Sequence, residues 1–310
     1  MSETTKGQPS QVVRFTSVIW GYVVGISSAI TMLLLVIIGV RSLELCTHDE
    51  LSDALSFLVQ PEFLIFLGVG FFAQIVDGSL GMAYGIVSTS FLVSFGVPPA
   101  AASAGVHIAE VFTTAVSGIS HWRFGNVDFG LLRRLTVPGV IGAAIGAFLL
   151  SSVDASMMRP VVAVYLLVMG IVILRKAFKK IIELKQPTAR LSLLGLLGGF
   201  ADASGGGGWG PIVTTTLIGS GNHPKTAIGT VNASEFLVAL TASGTFTFML
   251  GSGNWTVVLG LILGGVLAAP LGAYVCNRIN VRLAMGVVGT LIIVLSVRTV
   301  LKALNVWPFF

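Results

Sequence analysis

Asp77 to Gly85 reads DGSLGMAYG, and Asp202 to Gly210 reads DASGGGGWG. Each stretch interrupts an apolar run with a carboxylate, a hydroxyl and several glycines. Aligned without a gap at an offset of 125, the two share Asp77/Asp202, Ser79/Ser204, Gly81/Gly206 and Gly85/Gly210. The agreement continues through Thr89/Thr214, Leu92/Leu217, Gly96/Gly221, Pro99/Pro224, Ala102/Ala227 and Val106/Val231 to Glu110/Glu235, so that 11 of 34 positions match. Two copies of one unusual element imply an internal duplication and one shared site.

The surroundings set the class. The 310 residues are 54% hydrophobic and 10% charged, with a mean hydropathy of +0.93. Soluble domains carry about a quarter charged residues. Runs such as Leu131 to Leu150 and Leu283 to Val297 approach the length that spans a hydrocarbon core as helix, and no period-two alternation suggests a barrel. The expected fold is an all-α polytopic membrane protein of two homologous repeats, each with a glycine-broken re-entrant or discontinuous helix pair. The net charge of +5 does not point to nucleic acid, because Lys and Arg fall in short loops between apolar runs, where they set topology.

The organisation follows. Residues 1–60 form an extension with one spanning helix, Ser17 to Val40, and an acidic loop; 61–174 form the first repeat; 175–190 a basic cytoplasmic linker; and 191–310 the second repeat. The apolar run after residue 14 exceeds a signal-peptide core and is expected to stay as a helix. The breaks are expected to separate half-helices Glu62–Val76 and Ile86–Phe95, each too short to cross alone. Re-entrant breaks make the halves inverted with a cytoplasmic N-terminus, whereas breaks that cross make them parallel. The basic residues separate these only weakly, and the acidic loop 41–60 favours inversion.

Irregular backbone at membrane depth has to be shielded from lipid, so the two breaks should meet inside the protein. Glycines let backbone N–H groups approach an anion, and half-helix ends aim their positive dipoles at it. Neither break holds Lys or Arg, so a small anion would be held by Asp77, Ser79, Gly81, Gly85, Thr89 and their counterparts Asp202, Ser204, Gly206, Gly210 and Thr214, as in transporters built on broken helices. GGGGWG lacks the Lys-Ser/Thr of a nucleotide-binding loop.

Asp77, Asp202, Glu110 and Glu235 lie in apolar segments, where a carboxylate is costly and functional by default. Glu110 shares a helix face with Ser103, His107, Thr114 and Ser117. His107 beside Glu110 suits proton coupling, and Asn232 beside Glu235 is the non-titrating counterpart. The alternative is that the aspartates cap half-helices and the glutamates are neutral hydrogen-bond partners. Cys46 and Cys276 have no CxxC spacing, and neither a metal, a cofactor nor an enzyme's nucleophile–base set is expected. His121, Trp122, Trp255 and Trp307 read as interfacial residues. The sequons at Asn232 and Asn254 carry no weight without a secretory compartment.

The paired breaks, together with the run VPPAAASAGVHIAEVFTTAVSGISHWRFGNVD from Val97 to Asp128 and its weaker second copy, resemble the TauE/SafE family of membrane proteins. The resemblance covers about Glu62 to Leu304. It implies a multi-pass permease of the inner or plasma membrane, in a family with members linked to export of sulfite or small organosulfonates. The partners expected are a small inorganic or organosulfur anion, the lipid bilayer and a second copy of the chain in a homo-oligomer. An anion channel with the two breaks as a static filter is the alternative.

Overall fold

The computed structural model describes residues 60–178, 190–251, 255–275 and 280–304. The expected first helix, the acidic loop up to residue 59, residues 179–189 of the linker, both cysteines, Asn254 and Trp307 lie outside the described residues. Within them the elements are α1 Pro61–Leu80, α2 Tyr84–Ser94, α3 Pro99–Arg123, α4 Phe129–Ser152, α5 Ala155–Phe178, α6 Leu191–Gly205, a π-helical turn Gly210–Thr214 running into α7 Thr215–Gly219, α8 Pro224–Leu250, α9 Trp255–Val275 and α10 Val281–Ala303. The described chain is all-helical. Five of its helices, α1, α4, α5, α8 and all of α10 but its first residue, are long and apolar enough to cross a membrane, which makes this a multi-pass membrane protein.

One expectation is corrected. The first leg is not a 15-residue half-helix ending at Val76: it runs 20 residues through Asp77, Gly78 and Ser79 to Leu80, long enough to span. The irregular part is correspondingly short, Gly81 to Ala83 in the first copy and Gly206 to Gly208 in the second. Both first legs end in the same way, with a left-handed glycine four residues after the aspartate. Gly81 (φ 65°) and Gly206 (φ 74°) donate their N–H to the carbonyls of Asp77 and Asp202, the glycine stop expected of helix C-termini. Past this stop the copies diverge. Ala83 is the sole described non-glycine with positive φ, at 99°, a conformation that L-residues seldom adopt. In the second copy the further positive φ belongs to a glycine, Gly207 at 136°, which adopts it without strain.

Glycine seams hold the legs in place. Along α4, Val137, Ile141, Ile145 and Phe148 face outward, each more than half exposed, as lipid-facing positions should be. The opposite face carries Gly139, Gly142 and Gly146 against α6: a Cβ on Gly146 would lie 2.5 Å from the Phe200 carbonyl, and one on Gly195 would lie 2.5 Å from that of Leu135. Small residues allow such approach in lipid, as the spacing of these glycines predicts. Residue numbers rise together across this seam, from Leu135 at Gly195 to Gly146 at Ser204, so α4 and α6 are parallel. The α1/α9 seam is built alike, with Gly260 at Phe63 and Gly264 at Leu67. By contrast α5 and α10 are antiparallel, since Gly170 meets Ile292 while Leu174 meets Gly289, and so are α3 and α8, with Gly118 at Ala233 and Asn126 at Gly229.

Helix α5 marks where each broken element emerges. Arg159 near its start donates to the Gly96 carbonyl, just past α2, at 2.8 Å. Lys176 near its end donates to the Thr215 hydroxyl at 2.7 Å and to the Pro211 carbonyl at 3.2 Å. At 1.5 Å per residue these anchors stand about 25 Å apart along the helix, so α2 and α7 run to opposite ends of the bundle.

Candidate functional site

The two breaks pack directly on one another, as the need to shield them from lipid predicts. Thr214 Oγ1 donates to the Gly81 carbonyl at 2.8 Å. A Cβ on Gly210 would lie 2.5 Å from Met82 Cα, one on Gly207 would meet the Ile86 nitrogen, and one on Gly206 would run into the Thr89 side chain. Gly85 lies between the Gly207 backbone and the Glu110 carboxylate, whose Oε1 would stand 2.8 Å from its Cβ. The sequence singles out these glycines as ligand-approach points; the space beside Gly81, Gly206 and Gly210 is filled by the protein itself.

The carboxylates and the imidazole converge here. Asp77, Glu110, Asp202, Glu235 and His107 are all buried, and the four carboxylates lie within electrostatic reach of one another. His107 Nε2 is 3.2 Å from Asp202 Oδ2 and 3.9 Å from Glu110 Oε2. Its other nitrogen, Nδ1, is 2.8 Å from the Ser103 carbonyl. A carbonyl only accepts, so Nδ1 carries a proton and donates it. The Nε2–Asp202 contact then needs one more proton, held either by the ring or by the carboxyl. Ser103 Oγ donates to the Ala203 carbonyl at 2.9 Å, tying the same turn of α3 to the end of α6.

Asp202 does two things at once. Its Oδ1 accepts from the Trp209 N–H at 2.9 Å, capping the helix that restarts beyond the break, while Oδ2 faces His107. The capping alternative and the proton-pair reading therefore describe two oxygens of one group, and the Trp209 N–H is occupied. In the first copy Asp77 lies likewise against the Tyr84 backbone N–H, but its Oδ2 has no hydrogen-bond partner among the described residues. On α8 Asn232, which aligns with His107 at the offset of 125, accepts from Ser117 at 3.0 Å and donates to the Ile228 carbonyl at 3.0 Å, a fixed neutral pair.

Not every expected donor is available. Ser79 and Ser204 return their hydroxyls to the carbonyls of Val76 and Phe200 in their own helices. The Thr89 hydroxyl is fully buried without a partner among the described residues, as are Ser88 Oγ and both side-chain polar atoms of Gln74, one turn before Asp77 on α1. Sequence reading passes over Gln74, though a glutamine in a spanning segment three residues from Asp77 was a signal. It also passes over Tyr165, whose hydroxyl donates to the Gly207 carbonyl at 2.8 Å and whose ring fills the space beside Gly205. His121 is buried and 3.3 Å from Asn126 Nδ2, not at an interface.

His107, Glu110 and Asp202 offer ligand atoms within 4.8 Å of one another, where the sequence suggests no metal site. The 3.2 Å His107–Asp202 separation is a hydrogen-bonding distance, and it also matches the spacing of two ligands bound at about 2.0–2.1 Å to one tetrahedral ion.

Paired broken helices, buried carboxylates and a lipid-facing exterior define a multi-pass membrane protein. The model of the family "Sulfite exporter TauE/SafE" matches residues 66–299, and the chain belongs to that family. It is 43% identical over 250 residues to a probable membrane transporter protein, YtnM, of Bacillus subtilis, covering 78% of this chain and 83% of that one. It is 22% identical to a second probable membrane transporter protein of that organism, YjnA, over 75% of this chain and 97% of the other. A probable membrane transporter protein of Haemophilus influenzae is 28% identical over 66% and 81% of the two chains. No solved structure matches.

Proposed function

We propose that this protein is a secondary transporter of the cell membrane that exports a small anion, sulfite or an organosulfonate, in exchange with protons. The observation that carries the reading is the His107–Asp202 contact, which joins a proton-holding pair to the point where the two breaks touch. An anion among four buried carboxylates with no Lys or Arg beside it is repelled unless protons neutralise them. The proton on the His107–Asp202 pair and its exchange with Glu110 would supply that. The antiparallel packing of corresponding helices, α5 with α10 and α3 with α8, and the opposite exits of α2 and α7 support two inverted halves, and the basic residues of the short loops favour a cytoplasmic N-terminus. The names of the relatives favour a transporter over a channel. The test is uptake of radiolabelled sulfite into proteoliposomes under an imposed pH gradient. Saturable, gradient-driven flux that Glu110→Gln abolishes while sulfite binding persists is expected. An ohmic current indifferent to that change sinks the coupling, and a wild type inert to sulfite and to organosulfonates sinks the substrate class.

A further inference from the structure

We propose that His107, Glu110 and Asp202 form a seat for one divalent transition-metal ion of the zinc type, which takes the place of the proton between His107 and Asp202. The seat does not depend on which anion the protein carries, or on its carrying one.

The spacing is that of a ligand set. His107 Nε2 stands 3.2 Å from Asp202 Oδ2 and 3.9 Å from Glu110 Oε2. Two ligands bound at about 2.1 Å to one ion can stand no more than about 4.2 Å apart, and both separations lie inside that limit. The three residues offer ligand atoms within 4.8 Å of one another, so the remaining pair, Glu110 with Asp202, has to close by at most about 0.6 Å. Such an ion lies between the ligand atoms themselves and needs no cavity beyond them.

The ligands are already turned toward it. Nδ1 of His107 donates to the Ser103 carbonyl at 2.8 Å, which aims the Nε2 lone pair at the two acids, and metal-binding imidazoles are fixed by a donation of this kind. Asp202 Oδ1 accepts from the Trp209 N–H at 2.9 Å and leaves Oδ2 for the ion. Glu110 gives the independent sign of a ligand: it is 1% exposed, and its Oε2 has no hydrogen-bond partner among the described residues. A proton there cancels the charge but finds no acceptor, whereas a cation answers both needs. A neutral imidazole with two carboxylates leaves two negative charges, which one divalent ion balances. The ionisable groups that face the seat from neighbouring helices are Asp77, Glu235, Tyr84 and Tyr165, and none of them brings a positive charge. One imidazole nitrogen among the ligands favours zinc over magnesium or calcium.

The duplication supplies a control. At the offset of 125 the corresponding residues are Asn232, Glu235 and Asp77. Asn232 commits its side chain to Ser117 and the Ile228 carbonyl, and the second copy has no imidazole in that place. One ion per chain is therefore expected, not two.

The test is zinc binding to the untagged full chain in lipid nanodiscs after stripping with a chelator, with cobalt(II) as the coloured substitute. We expect one zinc per chain, displacing cobalt that shows the intense visible absorption of a four-coordinate ion. Affinity should fall on the order of tenfold per pH unit as the pH is lowered, because the ion displaces a proton. Asp202→Asn and Glu110→Gln should each weaken zinc by about tenfold or more, while His223→Ala, at an exposed histidine, should change it by less than about twofold. Either acid variant suffices if the other does not fold. Zinc that binds a folded acid variant as tightly as wild type, or that is lost with His223, overturns the seat, and so does an absence of zinc and cobalt binding. Sulfite flux in proteoliposomes is a separate measurement, and its failure overturns the transport reading alone.

Discussion

Replacing Asp202 tests the site most sharply, because two substitutions separate its structural work from its proton. In Asp202→Asn the amide oxygen still accepts from the Trp209 N–H, and the amide nitrogen donates to His107 Nε2, which the donation from Nδ1 to Ser103 leaves free as an acceptor. Every hydrogen bond survives, and the proton between the two groups can no longer move. In Asp202→Ala the Trp209 N–H and the imidazole nitrogen are both stranded in a buried site. Each such group costs about 1–3 kcal/mol, giving about 2–6 kcal/mol for the pair. At roughly 2–4 °C per kcal/mol, the Ala variant should melt on the order of 10 °C below wild type in detergent, and the Asn variant within about 3 °C of it. In proteoliposomes Asp202→Asn should bind substrate yet fail to drive it with a pH gradient. Equal melting temperatures for the two variants would refute the hydrogen-bond accounting, and gradient-driven flux through Asp202→Asn would refute the proton pair.

Further outcomes follow from the same contacts. Gly199→Ala places a Cβ 2.9 Å from the Gly139 carbonyl carbon and 3.1 Å from the Ala143 nitrogen, both backbone, so overpacking should cost about 1–3 kcal/mol by thermal unfolding; Gly68→Ala in α1, with nothing within 4 Å, should be neutral or stabilise by up to about 1 kcal/mol. Tyr165→Phe removes the hydrogen bond to the Gly207 carbonyl and should cost about 0.5–1.5 kcal/mol in the same assay. Asp154, in the exposed turn between α4 and α5, is held below the ordinary carboxylate range by the Ser156 hydroxyl and N–H. Its small contribution is therefore present above the unfolded-state pKa and is lost as pH falls through the folded one. Ser156→Ala should raise the Asp154 pKa, read by NMR titration; an unchanged value would show that the hydroxyl contributes nothing.

What the sequence makes legible is whatever a period or a cost writes into it. The cost of carboxylates in apolar runs marks Asp77, Asp202, Glu110 and Glu235, and all four are buried at one place. The glycine spacing at 139, 142 and 146 reports a seam, though not its partner, because the α6 side is written in Gly195 and Gly199, more than 50 positions away. Helix ends inside the breaks are less legible. Gly78 and Gly81 look alike in the sequence, and only the second takes up the left-handed conformation that stops α1, so the first leg is longer than composition suggests. The pairing of His107 with Asp202 spans 95 positions. Sequence neighbourhood points instead to Glu110, one turn away, which is the more distant of the two acids.

The two glycine seams have a mechanical consequence. Each ties the first leg of one half's broken element to the fourth helix of the other half: α1 to α9, and α4 to α6. With carbonyls of one helix seated where the other has no side chain, neither pair can slide or open without rebuilding its whole length. The rigid pieces of this protein are therefore not its two sequence halves but two composite blocks, each assembled from both. A motion that parts the two breaks is expected to run between these blocks, along the α3/α8 and α5/α10 contacts. A cross-link within one block that spares the seam glycines is expected to leave transport intact, and one between the blocks to stop it.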